Sequence, residues 1–272
     1  MNFLFWNIKR KDSFFNTIID IVVEEDIDVI AFAEFPDGQQ TVFKDLLVHN
    51  GIPFHYLSPI RTNKVELFYK AGKVNISRAY DGERISVSKI QSQVDHNDYL
   101  LVFCHLSSKL YSDKEQQSHL CRYIVNEITT YESSVNNFRT LVCGDFNMDP
   151  FDSGMKLCDG FNAMMTASLA SKIIRKVCNK EYKLFYNPMW GLYGDLHGGD
   201  VPGTYIYAST EPIHQYWHML DQVIMRPDVI PVFDKRQLRI VTKGHRYNLL
   251  NRNNNISNHY SDHLPIKFTL NI

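Results

Sequence analysis

Residues 138–152 read FRTLVCGDFNMDPFD: an apolar run, Leu141-Val142-Cys143, drops directly into Gly144-Asp145-Phe146-Asn147. Such a short, uninterrupted apolar run bounded by a turn signal has the pattern of a buried strand. An Asx turn accounts for an aspartate or an asparagine after a strand. It does not account for both, following a fully apolar strand with a permissive glycine ahead. The stretch therefore reads as a buried strand that carries a carboxylate and an amide to one point.

The same design recurs outward in both directions. NFLFWNI (2–8) is a short apolar strand that reaches Asn7; DVIAFAEF (28–35) ends on Glu34 before the breaker Pro36-Asp37-Gly38; YLLVFCHL (99–106) delivers His105. Toward the end, MLDQVIM (219–225) carries Asp221, and in SDHLPIKFTL (261–270) Asp262 and His263 immediately precede the last strand. A single acidic residue after a strand is ordinary turn or cap chemistry. Six such positions in one chain point to a shared site, since rigid strand ends hold functional groups better than loops do.

Between these strands, Phe14, Ile18, Ile21 and Val22 fall at helical spacing behind Ser13 as an N-cap, and Leu120, Ile124 and Ile128 form one stripe of a surface helix behind Ser112 or Asp113. PFHYL, VELFYK, VNISRAY and RISVSKI, between residues 53 and 90, read as antiparallel strands joined by tight turns at Asn-Lys, Ala-Gly-Lys and Asp-Gly-Glu. Residues 152–180 read as partly helical. From about Glu181 to Gln215 the chain becomes rich in glycine and aromatic residues, the composition of long loops around a site rather than of a second domain. The only low-complexity tract is Asn253–Asn255 in an asparagine-rich turn.

A length of 272 residues with 44% hydrophobic and 22% charged side chains fits a globular protein with a substantial core, read as one domain over residues 1–272. The charge balance is 29 basic to 30 acidic residues, so no global field draws the chain onto polyanions, and any nucleic-acid contact is local. Five cysteines without a C-x-x-C pair fit a reduced setting, with Cys104 and Cys143 as buried small hydrophobes. The first apolar stretch ends at Trp6 and charge arrives at Lys9, too short for a signal peptide, and no run approaches the roughly 20 residues that span a bilayer. The expectation is a cytoplasmic protein with no membrane insertion and no evident protein partner.

FWNIKR, AFAEF, CHLSSK, VCGDFNMDP, LDQVIM and SDHLPI, in this order over residues 3 to 268, resemble the ordered motifs of the endonuclease/exonuclease/phosphatase superfamily, which includes deoxyribonuclease I, AP endonucleases, sphingomyelinases and inositol polyphosphate phosphatases. The resemblance implies the α/β class and a four-layered α/β/β/α sandwich: two mixed, mostly antiparallel sheets face to face, helices outside, and a site at one end. It also implies roles. Glu34 matches the principal metal ligand, with Asn7 and Asp262 helping to hold the metal or the scissile phosphate. Asp145 and Asn147 match the pair that activates water and steadies the nucleophile or a phosphate oxygen. His263 matches the histidine that contacts the phosphate, and Asp221 the aspartate that orients it. His105, a tyrosine in AP endonucleases, places the chain nearer the deoxyribonuclease I, sphingomyelinase and phosphatase branches. The glutamate that supports this histidine in deoxyribonuclease I aligns with Asn63 or Glu66, and Gln222 stands where inositol phosphatases carry an arginine.

These residue types suit phosphoester hydrolysis on chemical grounds as well. A phosphodiester is an anion that repels hydroxide, so a hard cation, Mg2+ or Mn2+, held by carboxylate and amide oxygens must neutralise charge. A histidine paired with a carboxylate stays protonated and can donate to a phosphate oxygen or leaving group. Lys9, Arg10, Lys11 and Ser107, Ser108 and Lys109 are candidate phosphate contacts, against the plainer reading of a solvated charge run. The expected activity is a divalent-metal-dependent nuclease or phosphodiesterase acting on nucleic acid or nucleotides. The rivals are a phosphatase or head-group phosphodiesterase with the same chemistry, and a binding module without turnover.

Overall fold

Period-two alternation along the apolar strands determines the architecture. In the computed structural model, which describes residues 1–60, 65–107, 114–210, 212 and 214–272, the chain begins β1 (Asn2–Asn7), α1 (Phe15–Glu24), β2 (Val29–Ala33), α2 (Gln40–His49), β3 (Phe54–Leu57), β4 (Val65–Lys70). It continues β5 (Asn75–Asp81), β6 (Ile85–Gln91), β7 (Asp98–His105), α3 (Lys114–Ser134), β8 (Thr140–Asp145), α4 (Ser153–Lys156), β9 (Ala163–Met164) and α5 (Ala167–Ala170). The remaining strands are β10 (Ile174–Val177), β11 (Lys180–Lys183), β12 (Phe185–Tyr186), β13 (Tyr205–Ile206), β14 (Trp217–His218), β15 (Asp221–Met225), β16 (Arg239–Ile240) and β17 (Ile266–Thr269).

Among the described residues two large sheets result, in the orders β16-β17-β1-β2-β4-β3 and β5-β6-β7-β8-β15-β12-β9, with β10-β11 and β13-β14 as separate two-stranded ribbons. Both large sheets are mixed and mostly antiparallel, with parallel pairs at β1–β2, β7–β8 and β9–β12. Phe3, Phe5, Val29, Ala31 and Leu67 of the first sheet share one core with Tyr99, Leu101, Phe103, Leu141, Cys143 and Val223 of the second. Successive strand residues point to opposite faces, so the intervening residues face outward. Leu4, Trp6, Ile30 and Phe32 pack under α1 and α2, while Leu100, Val102, Val142 and Ile224 pack under α3. The four layers expected from the sequence are present. No described helix is long and apolar enough to cross a membrane.

Four local expectations are corrected. Ser13 does not cap α1; Phe14 occupies the N-cap position with no side-chain bond, because its ring is buried with Trp6 and Ile18. The Ala-Gly-Lys turn does not close a hairpin, since β4 and β5 belong to different sheets and the turn carries the chain across the sandwich. Gly144 lies within β8, where an added Cβ would stand 2.0 Å from the Cys104 carbonyl oxygen, so the close approach of β7 rather than the turn demands glycine. The glycine- and aromatic-rich segment is not wholly loop: β12 within it joins the second sheet, β13 pairs with β14 just beyond it as a short ribbon, and Tyr205 bridges to His263. Asn63 and the Ser112 and Asp113 caps lie outside the described residues.

Candidate active site

The polar strand ends fall on the inner faces of the two sheets. Asn7 continues the inward set of Phe3 and Phe5; His105 continues Tyr99, Leu101 and Phe103; Asp145 continues Leu141 and Cys143; Asp221 begins the set completed by Val223 and Met225. Register aligns them. Asp145 is the cross-strand neighbour of both His105 and Asp221, and Asn7 lies opposite Ala33, next to Glu34. One end of the space between the sheets is therefore lined by acids, amides and imidazoles, while the rest is apolar.

Asp145 Oδ2 is the point of convergence. It accepts a bond from Asn7 Nδ2 at 3.0 Å and lies 3.8 Å from His105 Nε2 and 4.0 Å from His263 Nε2. Asn7 Nδ2 also donates to Glu34 Oε1 at 3.2 Å, and His105 Nε2 stands 3.6 Å from the same oxygen. The other Asp145 oxygen accepts the backbone N–H of Asn147 at 2.9 Å, while the Asn147 side chain donates to the Leu106 carbonyl. His263 Nδ1 is paired with Asp221 Oδ2 at 2.8 Å, leaving Asp221 Oδ1 buried without a partner.

Burial disfavours charge on His263, but Asp221 and Asp145 outweigh it and push its pKa up to about 10. Burial is also the main influence on Asp145, pushed up to about 7 with help from Asp221 and against the pull of His263 and Asn7. Cys104 and Cys143 beneath the site have thiols that burial raises well above their usual range, which suits inert packing groups rather than nucleophiles.

Backbone geometry marks the same place. Glu34, Asn147, Lys9 and Arg10 all adopt left-handed φ between 49° and 55°, a conformation that costs energy in residues other than glycine and persists where surroundings impose it. For Glu34 the surroundings are visible: buried Phe32 and Phe35 flank it and pack on Phe43 and Phe68, and its carbonyl accepts the Arg10 N–H at 2.7 Å. The last strand is pinned to the first by Trp6 Nε1 donating to the His263 carbonyl and Ser261 Oγ donating to the Asn7 carbonyl.

The donor set fits a hard divalent cation. Glu34 presents a carboxylate about one-third exposed beside the buried Asp145 carboxylate, and oxygen donors of this kind suit Mg2+ or Mn2+. Ligand atoms of Asp145, Asp221 and His263 also lie within 4.8 Å of one another. A protonated imidazole is not a ligand, however, and a ring held near pKa 10 with its Nδ1 on Asp221 is better suited to carrying a proton.

Not all the expected residues converge. Asp262 sits beside His263, but its carboxylate is bonded to Lys9 Nζ at 2.7 Å; burial works to raise its pKa, and Lys9 and His263 outweigh this and hold it below the usual range. Lys9 is thus committed to Asp262, and its backbone N–H donates to Asn7 Oδ1, so Asn7 turns its NH2 rather than its oxygen toward the carboxylates. Arg10 reaches the exposed Asp37, at 3.7 Å, and Lys11 donates to the Asn258 and Tyr260 carbonyls. Ser108 and Lys109 lie outside the described residues. Glu66 accepts bonds from Tyr56 and Gln40. Gln222 is buried and bonds Met148 O and Asn187, on the opposite face of β15 from Asp221.

Sequence reading missed the supports behind the site. Thr204 Oγ1 accepts the Asp221 N–H, and Gln117 of α3 donates to the Ser107 and Asn147 carbonyls. Buried Asp149 accepts from His218 Nδ1 (2.8 Å), Tyr193 OH (2.6 Å) and the Met219 N–H (2.8 Å). The only signal for Asp149 was its place in the Asn-Met-Asp-Pro run, which reads equally as a turn.

A family model described as the Endonuclease/Exonuclease/phosphatase family matches residues 4–263. Among solved structures, the chain is similar to a mannosyl-6-phosphatase from Bacteroides thetaiotaomicron, at 14% identity and TM-score 0.61, with 99% of each chain covered. It is similar to the human Nocturnin catalytic domain with bound sulfate, at 14% identity and TM-score 0.56, covering 98% of this chain and 93% of that one. An AP endonuclease from Archaeoglobus fulgidus gives 12% identity and TM-score 0.54, with 100% of both chains covered. At such identities the likeness is one of fold. No curated protein matches the sequence.

Proposed function

Because the chain belongs to the endonuclease/exonuclease/phosphatase family, we propose that it is a divalent-metal-dependent phosphoester hydrolase, a nuclease or phosphodiesterase acting on nucleic acid or nucleotides. The observation that carries the reading is the convergence of Asn7, His105 and the Asp221–His263 pair on Asp145 beside Glu34. Glu34 would be the principal metal ligand; Asn7, with its NH2 on the carboxylates, and Asp262, paired with Lys9, support the site rather than the ion. Bound Mg2+ or Mn2+ supplies neutralisation of the phosphoryl charge. Asp145, steadied by the Asn7 and Asn147 N–H groups, aligns a water for in-line attack and takes its proton. His263, kept protonated by Asp221, donates to the phosphoryl or leaving oxygen as the P–O ester bond breaks, and the alcohol departs protonated. His105 lies within reach of both carboxylates and positions the phosphate, and Asn147 steadies the nucleophile. The core shared by both sheets supports treating residues 1–272 as one catalytic domain.

The test is a panel of single- and double-stranded DNA and RNA, nucleotides, sugar phosphates and phospholipid head-group diesters, with Mg2+ or Mn2+ and with chelator. Metal-dependent cleavage of nucleic acid or nucleotides, lost in Asp145→Ala and His263→Ala, is the expected result. Release of phosphate from sugar phosphates alone would move the assignment to a phosphatase. Folded protein that leaves every substrate intact would remove the enzymatic reading.

A further inference from the structure

Next to the candidate site lies a cleft of about 590 Å³ whose walls are chemically distinctive. One wall is the end of the β13–β14 ribbon, where Tyr207 and Tyr216 face one another across the Tyr207 N–H to Tyr216 carbonyl bond. The other is the asparagine-rich turn, which contributes Asn251, Asn255 and Asn258, and the cleft ends at Asp262, next to His263.

The two tyrosines are 47% and 54% exposed, which is unusual for large rings, yet they are firmly held. Tyr207 stacks on His218 with ring centres 5.3 Å apart and planes 17° apart, and His218 is clamped by buried Asp149. His214 bonds the Tyr207 carbonyl and packs on both tyrosine rings. A braced aromatic face open to solvent is a stacking platform formed before a ligand arrives. Asn251 Oδ1 ties the turn by accepting the Asn253 and Asn255 N–H groups, and the Asn255 and Asn258 amides present donors and acceptors suited to a planar heterocycle's edge. Charge narrows the choice. Asp262, the carboxylate at the cleft's end, is already neutralised by Lys9, leaving nothing there to select a cationic head group.

We propose that this cleft binds an unpaired nucleobase of the nucleotide whose phosphate is cleaved, which makes the enzyme selective for nucleotides and single strands over duplex. The inference rests on the phosphodiesterase reading above and adds a substrate preference to it. A paired base cannot enter without unstacking, which costs a few kcal/mol; a base already free pays none of this.

The experiment compares kcat/KM on four metal-supplemented substrates: a nucleoside 5′-phosphodiester, a fluorescent single-stranded oligonucleotide, its duplex, and a strand of tetrahydrofuran residues that has a sugar-phosphate backbone but no bases. Base-bearing single strand or nucleotide should be preferred over both duplex and base-free strand. The base-bearing to base-free ratio should fall about 10–100-fold in Tyr207→Ala, the range for loss of one stacking partner. It should fall in Asn255→Ala and recover in Tyr207→Phe, which restores the ring. Preference for the nucleoside diester over the oligonucleotide would identify a nucleotide enzyme, and the reverse a single-strand nuclease; both uphold the cleft. An unchanged ratio in Tyr207→Ala and Asn255→Ala, with circular dichroism showing intact fold, overturns the cleft and leaves the hydrolase standing. No cleavage of any nucleic acid or nucleotide by wild type would instead overturn the parent reading, and this inference with it.

Discussion

Asp221–His263 and Asp149–His218 are both carboxylate–imidazole pairs built on a buried acid and closed through Nδ1 at 2.8 Å, and they differ in what surrounds them. Asp221 gives one oxygen to His263 and keeps the other unbonded, and the free ring nitrogen of His263 looks toward Asp145. Asp149 divides its charge among three donors, from His218, Tyr193 and the Met219 backbone. Burial works to raise the pKa of Asp149, but these donors outweigh it and hold the carboxyl below its usual range. The Nε2 of His218 is buried without a partner, and the ring lies against that of Tyr207. A carboxylate with one partner projects its charge onto that partner; a carboxylate with three spreads it and becomes a clamp. On this reading the first pair holds a proton for chemistry, and the second holds the β13–β14 ribbon against the loop after β8.

The largest separation between the two pairs should appear in catalysis. His263→Ala and Asp221→Asn are expected to lower kcat by about 10²–10⁴-fold, the usual worth of a positioned acid–base group, on whichever phosphoester the panel identifies. Asp149→Ala should spare most of kcat in the molecules that fold. It should instead lower unfolding free energy by about 3–5 kcal/mol, because three buried or half-buried donors lose their acceptor, as read by urea denaturation. If folded Asp149→Ala loses as much kcat as Asp221→Asn, the division into proton holder and clamp is wrong.

How far each pair was legible follows from where its members sit along the chain. Asp221 and His263 are polar residues beside uninterrupted apolar strands, so strand-end position and motif order brought them out, as they did Glu34, His105 and Asp145. The sandwich itself came from the resemblance, because both faces of β1, β2, β7 and β8 are apolar and no polar alternation separates the inward set from the outward one. Asp149 and His218 are separated by 69 positions in segments that read as turn and loop, and no local pattern links them. The ion pair of Lys9 and Asp262 spans 253 positions and turns two expected ligand-binding groups toward each other, again without a local trace. The crossing of β4 to β5 between sheets was hidden because an Ala-Gly-Lys turn serves a hairpin or a crossover equally well.

A smaller effect sharpens the first pair through pH. His263 has a folded-state pKa of about 10, above its unfolded value of 6.5. The folded protein therefore binds this proton more tightly, and the associated stability is fully present below pH 6.5 and lost as pH rises toward about 10. Urea denaturation in chelator should show wild-type stability declining across that window. Asp221→Asn removes the carboxylate that raises the pKa, so its profile should be flatter there. Parallel profiles for the two proteins would show that Asp221 does not hold the proton on His263.

The smallest expected change is at His218. His218→Phe keeps a ring under Tyr207 and removes a buried nitrogen that has no partner, while Asp149 retains Tyr193 and the Met219 N–H. Losing one bond to a charged acceptor and removing one unsatisfied polar atom act in opposite directions, each worth roughly 1–3 kcal/mol. The net shift in unfolding free energy should therefore stay within about 1 kcal/mol, and kcat within about twofold of wild type. His263→Phe, the same replacement in the other pair, keeps a ring in place but loses the proton, and it should follow His263→Ala in kcat. A tenfold or larger fall in kcat for His218→Phe at unchanged stability would mean that the second imidazole also acts on substrate, and the contrast between the two pairs would then be one of degree.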